Sequence, residues 1–425
     1  MPKIITFFST LLLSLMNSPL SFAKEEPAVP PSEVAIDSGY DIKAVPFIMS
    51  LEDWGFTVAL AGVAKGVIQP QASVFGGGAI SENGTYLGYA GLFNLMVPGW
   101  DQTLFDLTVM ETDFKETRFF LSENSSSGGQ NNSSHNDSIR SPAHEKYYQF
   151  FMKYTLPIGA GKDGALPAEI KRNMGYDAGQ VWNPMVSGVT TIEVLPYYKT
   201  RKLDHYSGIE PDKSIGVRVE LEYDNRNSKT RPTQGSNTAF RMTYDPGSSD
   251  RPDWATVEFE FSKFFNLGSN NVLDEQVIAM NGWLADTPTW NNTTDVKGTS
   301  TYRRPPSFAG VALGGFDRLR GYSSRRFHGR SAVSYSLEYR VTPRWQPLDT
   351  LPLIGPLYNI PWWQWTLFMD AGRVADNFDL KELHSDVKTN VGGGIRFMVE
   401  GITVRAEMVT SSEDTMLRVF INQPF

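Results

Sequence analysis

Residues 332–342 read Ala-Val-Ser-Tyr-Ser-Leu-Glu-Tyr-Arg-Val-Thr. In an extended chain, successive side chains point to opposite faces. Val333, Tyr335, Leu337, Tyr339 and Val341 therefore share one face, and Ser334, Ser336, Glu338, Arg340 and Thr342 the other. A strand this regular divides an apolar medium from a polar one. Three more runs repeat the pattern. In 215–224, Val217, Val219, Leu221 and Tyr223 oppose Arg218, Glu220 and Glu222. In 363–370, Trp363, Trp365, Leu367 and Met369 oppose Gln364, Thr366, Phe368 and Asp370. In 402–408, Ile402, Val404, Ala406 and Met408 oppose Thr403, Arg405 and Glu407.

Working outward, similar runs lie near 54–64, 68–80, 84–96, 101–113, 145–157, 188–201, 236–245, 253–264, 274–285, 389–399 and 415–425, which makes fifteen. Their length, about ten residues, matches a tilted β-span of a bilayer. No stretch of about 18 uncharged apolar residues follows the N-terminal segment, so a closed barrel is the remaining way to cross lipid. Single-chain bacterial barrels have an even strand number. The missing strand is expected in the poorly patterned segment 158–187. The expected fold is all-β: a transmembrane antiparallel β-barrel of about 16 strands.

Residues 1–23 read as a signal peptide, with Lys3, an apolar run from Ile4 to Leu15 and a small-x-small site at Ser21-Phe22-Ala23. Residues 24–51 read as a short periplasmic tail rich in proline, and 52–425 as the barrel. Residues 122–144 are a low-complexity connection, and 286–306 and 344–361 are also loop-like. Trp54, Trp100, Trp182, Trp254, Trp345, Trp362 and Trp363 lie at strand ends, as an aromatic girdle would.

Composition closes off other functions. The 425 residues contain no cysteine and five histidines, so no thiolate chemistry and no cysteine-zinc site is available. The formal charge of −8 gives no basic excess for nucleic acid. No nucleophile elbow, phosphate loop or dinucleotide fingerprint is present. His135, His144, His205, His328 and His384 are scattered. The expectation is no enzyme, no cofactor and no metal. The pairs Arg303-Arg304 and Arg325-Arg326 could bind lipopolysaccharide phosphates, although solvated loop charges are the simpler reading.

Three segments carry more. Residues 223–236 close a strand with Asp224 and Arg226 and turn through Pro232-Thr233-Gln234-Gly235. Residues 314–322 are Gly-Gly-Phe-Asp-Arg-Leu-Arg-Gly-Tyr, and 366–374 are Thr-Leu-Phe-Met-Asp-Ala-Gly-Arg-Val. Together, in this order, they resemble the bacterial surface antigen family of outer-membrane assembly and translocation barrels of the BamA and TamA type. The run Leu417, Val419, Ile421, Phe425 resembles that family's C-terminal sorting signal, with Gln423 and Pro424 as departures.

The resemblance implies a long loop folded into the lumen. Its arginine, matching Arg320, pairs with acidic wall residues matching Glu338 and Asp370, with Gly372 two residues further on. Gly321 would permit a tight turn, and Tyr322 would pack on the wall. It also implies a weakly paired seam between first and last strands, here near 54–64 and 415–425. Implied partners are membrane lipids, lipopolysaccharide, outer-membrane client proteins and a separate periplasmic protein. The periplasmic POTRA modules of the named proteins, about 75 residues each, do not fit in 24–51. The second reading is therefore a plugged structural or pore-forming barrel without assembly activity.

Overall fold

The computed structural model describes residues 41–51, 55–121, 129–173, 181–348, 360–399, 402–421 and 424–425. The expected signal peptide and residues 24–40 of the expected tail lie outside the described residues. One sheet of sixteen strands dominates. Its strands are β1 (Asp41–Leu51), β2 (Gly55–Lys65), β3 (Ser73–Ser81), β4 (Tyr86–Leu95), β5 (Thr103–Phe119), β6 (Ile139–Thr155), β7 (Val189–Leu203), β8 (Lys213–Asp224), β9 (Gly235–Asp245), β10 (Trp254–Gly268), β11 (Leu273–Asp286), β16 (Ser331–Pro343), β17 (Trp363–Ala375), β18 (Lys388–Val399), β19 (Ile402–Ser411) and β20 (Thr415–Ile421). Each pairs antiparallel with its neighbour along the chain. Between β11 and β16 lie two small hairpins, β12 (Thr293–Val296) with β13 (Thr299–Tyr302) and β14 (Ala312–Leu313) with β15 (Phe327–His328). Two short helices, α1 (Ala165–Asn173) and α2 (Leu380–Leu383), complete the elements.

The strand count is as expected, but the sixteenth strand is not in 158–187. It is β1, inside what reads as the tail, so Asp41–Leu51 belongs to the barrel and the boundary at 52 does not hold. Pro46 hid it, because proline cannot donate to a ladder and is tolerated mainly on edge strands. Among the described pairings β1 has β2 as its partner, which is such a position. The described residues 158–173 and 181–187 form no strand. Gly159 and Gly164 sit at φ of 52° and 117°, and the chain turns through them into α1.

The alternation is realised as read. Leu221, Leu337, Leu367 and Met408 are exposed on the outer surface, whereas Ser336, Glu338, Asp370 and Glu407 are buried on the inner one. The sheet wraps around residues 303–328. That one connection reaches Lys199 on β7, Glu260 on β10, Asp370 on β17 and Arg418 on β20. With sixteen antiparallel strands, Asp41 at the start of β1 and Ile421 at the end of β20 lie at one rim, the terminal end. The other rim, carrying the plug connection, is the loop end. Among the described residues no helix is long and apolar enough to cross a membrane.

The girdle is half realised. Trp100, Trp182 and Trp345 are exposed, while Trp254, Trp362 and Trp363 are buried and Trp54 lies outside the described residues.

Candidate functional site

The loop 303–328 enters the lumen because its own apolar groups find a wall. Leu313, Leu319, Tyr322 and Phe327 pack with Trp283, Ala285, Ala332 and Val374 into one buried cluster. Gly372 makes room for this: a Cβ there would lie 2.7 Å from the Val333 carbonyl oxygen and 3.1 Å from Leu313 Cδ1. Gly321 acts by close approach rather than by turning. A Cβ on it would sit 2.6 Å from Asn390 Cβ and 3.0 Å from Ser411 Cβ. The left-handed residue of the turn is Leu319, at φ 48°.

This approach delivers Arg320 to the wall, where it is fully buried. Its Nε and Nη2 donate to the two oxygens of Asp370 at 3.0 and 2.7 Å, and its backbone N–H donates to Asp370 Oδ2 at 3.1 Å. Nη1 donates to Glu338 Oε1 at 2.6 Å and lies 3.5 Å from Glu407. The guanidinium stacks 3.5 Å over the Phe368 ring. Ser336 and Asn390 donate to Asp370 at 2.8 and 2.9 Å, so the carboxylate is held from both neighbouring strands and from the plug. Tyr322 packs edge-on to Phe327, and its hydroxyl reaches the Thr389 carbonyl at 3.2 Å.

The site is larger than the sequence reading assembled. Arg396 on β18 donates to both Glu338 oxygens and to Glu407. Arg405 on β19 reaches Asp317 of the plug at 3.0 Å, and Arg340 on β16 donates to Glu338. Four arginines thus face four carboxylates. Their polar-face parity was readable for Glu407, Arg405 and Arg340. Contact among them was not, since many charged residues share that face. A second anchor, Arg318, points to the adjoining wall of β10 and β11. It pairs with Glu260 at 2.9 Å and stacks 4.3 Å from Trp283. From Glu260 the charges continue through Arg241 and Glu220 to Arg218 and Glu193, alternating in sign. Among the described residues no group of His, Asp and Glu could hold a metal. The chemistry of the arrangement is electrostatic fastening.

Residues 83–400 match the Omp85 superfamily domain. The chain belongs to the Omp85 superfamily. Its membership places the barrel in the bacterial outer membrane. Among curated proteins, no sequence matches it. Among solved structures it resembles CdiB from Escherichia coli, with a TM-score of 0.51 at 11% identity, over 90% of this chain and 61% of that one. BamA from Haemophilus ducreyi lacking POTRA domains 1–3 matches with a TM-score of 0.49 at 13% identity, over 89% and 69% of the two chains. CdiB from Acinetobacter baumannii matches with a TM-score of 0.46 at 11% identity, over 90% and 65%. The chain therefore spans under two thirds of either CdiB.

At the terminal end, the turn 223–236 is a compact knot. Asp224 accepts from the Arg226 backbone N–H and from both ends of its guanidinium, at 2.9–3.0 Å. Gly235 has φ 100°, and a Cβ there would lie 2.3 Å from the Asn225 carbonyl oxygen. Pro232 is buried in the same turn. Lys229 pairs with Glu169 of α1 at 2.5 Å, tying the helix to this turn.

The C-terminal run changes side at its last residue. Leu417 faces outward and is 72% exposed, while the side chains of Val419 and Ile421 lie outside the described residues. Phe425 does not continue the outer face. It packs against inward-facing Phe264, 6.1 Å between ring centres, beside Val277, Ala279 and the Arg340 guanidinium. Pro424 cannot extend the ladder, and the lumen offers the ring an apolar recess.

At the loop end, part of the low-complexity connection is tied down. Residues 139–144 belong to β6, and 122–128 lie outside the described residues. Between them, Gln130 donates to Asp376, Asn131 to the Asp386 carbonyl, and His135 meets Glu413 at 3.1 Å. Arg326 of the plug binds Glu413 through two nitrogens and donates to the Ser133 carbonyl at 2.7 Å. His328 reaches the Phe120 carbonyl at 2.8 Å. Of the basic pairs, Arg303 binds Asp253 and Arg325 donates to the carbonyls of Ser307 and Gly310, so neither is a free loop charge. Glu210, in the β7–β8 loop, accepts from Ser307, and burial pushes its carboxyl above the usual range.

Proposed function

We propose that this barrel assists insertion, assembly or translocation of proteins or lipid at the outer membrane. The observation that carries this reading is the seam: among the described residues β1 and β20 stand at the two ends of the sixteen-strand order, with no ladder between them. The first strand also contains Pro46, which cannot donate to a ladder, so the β1–β20 seam is the weakest line of the wall. Unpaired backbone at such a seam can template an incoming strand. The seam belongs to β1, not to the 54–64 run, which is β2. Export through a cleaved 1–23 segment, contact with phospholipid and lipopolysaccharide, outer-membrane clients and a separate periplasmic partner are parts of the same proposal.

The chain has no cysteine, so one pair introduced across β1 and β20 can lock the seam selectively. The expected result is loss of client proteins from the outer membrane under oxidising conditions, restored by reductant. Normal client levels in the locked strain would end the gating idea.

The second reading, a plugged structural or pore-forming barrel, is favoured by how firmly the plug is fastened around Arg320. Planar-bilayer conductance separates the two. A pore former gains a large, steady conductance when Arg320 is replaced, while an assembly barrel with a locked seam stays inactive whatever its conductance.

A further inference from the structure

We propose that the turn 181–186, Val-Trp-Asn-Pro-Met-Val, is a membrane-dipping wedge that seats in the phospholipid leaflet beside the terminal rim. The first observation is exposure. Val181, Trp182, Met185 and Val186 are 49, 62, 64 and 63% exposed, four apolar groups within six residues. A contiguous exposed apolar patch marks an interaction surface.

The second observation is that the turn is built, not loose. Ser187 Oγ donates to the Val181 carbonyl at 2.5 Å, and Asn225 Nδ2 donates to the same carbonyl at 3.2 Å. The N–H groups of Val186 and Ser187 donate to the Asn183 carbonyl at 3.0 Å, and that of Met185 to Asn183 Oδ1 at 3.0 Å. Gly188, at φ 68°, returns the chain to β7. The polar groups of the segment are spent on holding its shape, and its apolar groups are what remains on the surface.

The third observation selects the occupant. Trp182 packs edge-on against Tyr223, with ring centres 6.0 Å apart and an interplanar angle of 83°. Tyr223 has the outward parity of Val219 and Leu221, both exposed on the lipid-facing surface of β8. The wedge therefore lies outside the wall and prolongs the lipid belt by one layer beyond the end of β8 at Asp224. Tryptophan with a mixed apolar turn at this depth suits the headgroup–acyl boundary. A protein seated under the mouth would instead meet the inner side of the rim, where α1 and Lys229 lie. The proposal does not depend on what the barrel transports.

The absence of native cysteine makes the test direct. Met185→Cys and, as a second position, Val186→Cys are nitroxide-labelled in the full chain and reconstituted into phosphatidylethanolamine–phosphatidylglycerol vesicles. Collision with oxygen, which partitions into lipid, is compared with collision with a water-soluble nickel chelate. Leu221→Cys serves as the lipid-facing standard and Asp250→Cys as the water-facing one. The expected oxygen-to-nickel collision ratio is several-fold above that at Asp250→Cys and close to that at Leu221→Cys. A ratio matching Asp250→Cys overturns the proposal. So does an immobilised spectrum shielded from both reagents, which would assign the patch to a second copy or another protein. As an independent readout, the triple variant Trp182→Ser, Met185→Ser, Val186→Ser, folded in detergent, should insert into the same vesicles at least threefold more slowly. An unchanged insertion rate also overturns it.

Discussion

The inner faces of β2–β5 and of β16–β19 are built from opposite materials. On the first, Ala59, Ala79, Leu87, Tyr89, Phe93, Met110 and Phe114 pack into one apolar cluster. On the second, Arg340, Arg396, Arg405, Glu338, Asp370 and Glu407 are buried and mutually paired. Both walls face the same lumen, so the medium does not dictate the difference. The plug does. Its Asp317 and Arg320 go to the charged wall, and no described contact carries them to the apolar one. An apolar wall is satisfied by its own neighbours and can deform at modest cost. A charged wall is satisfied only while every partner is present. The lesson is that β16–β19 hold the plug through buried ion pairs, whereas the apolar cluster of β2–β5 is held together by packing.

The largest effect expected from this contrast is at Arg320. Arg320→Ala leaves Glu338 and Asp370 buried beside a lost cation, a cost on the order of 3–5 kcal/mol. The folded band on heat-modifiability gels should be lost at a clearly lower temperature, and Arg320→Lys should not restore it, because only the planar fork spans both carboxylates. A wild-type melting profile would break the comparison. Leu87→Ala, on the apolar wall, costs about 2–5 kcal/mol through its cavity, yet should leave the plug seated. Protease access to residues 303–328 checks this, and cleavage there would show that the walls are coupled. Gly372→Val drives a side chain toward Leu313 and Leu319, costing about 1–3 kcal/mol by overpacking. It should loosen the plug with all charges intact, which separates steric seating from ion pairing. The smallest effect belongs to Lys229→Ala, about 1 kcal/mol or less for one rim ion pair. It should raise proteolysis near α1 without changing the melting of the barrel.

Much of this was legible in the chain. Period-two alternation located nearly every strand, and parity alone put Glu338 and Asp370 inside. Where the reading stopped, a specific cause was at work. Pro46 disguised β1, since proline in a pattern argues against a strand until its single-sided pairing is known. Gly321 was read as a turn residue, but its missing side chain serves the approach to Asn390, a contact no local rule contains. Arg405 and Glu407 were visible as polar-face residues, yet which of many such residues touch depends on strand stagger, and Arg396 was not singled out at all. Phe425 was read as the last residue of an alternating apolar run; its packing on Phe264 is a long-range contact that periodicity does not carry.

The contacts of residues 130–135 span most of the chain. They join the β5–β6 connection to Asp376, Asp386 and Glu413, at sequence separations of 246, 255 and 278 residues. Such a roof cannot form from a partial polypeptide. Bringing ends this distant together is entropically costly and slow until the intervening sheet has done it. The covering over the mouth thus acts as a built-in certificate of completion: it is fastened only once the last hairpin is in place. A barrel stalled short of β19 and β20 would present this segment open to the outside.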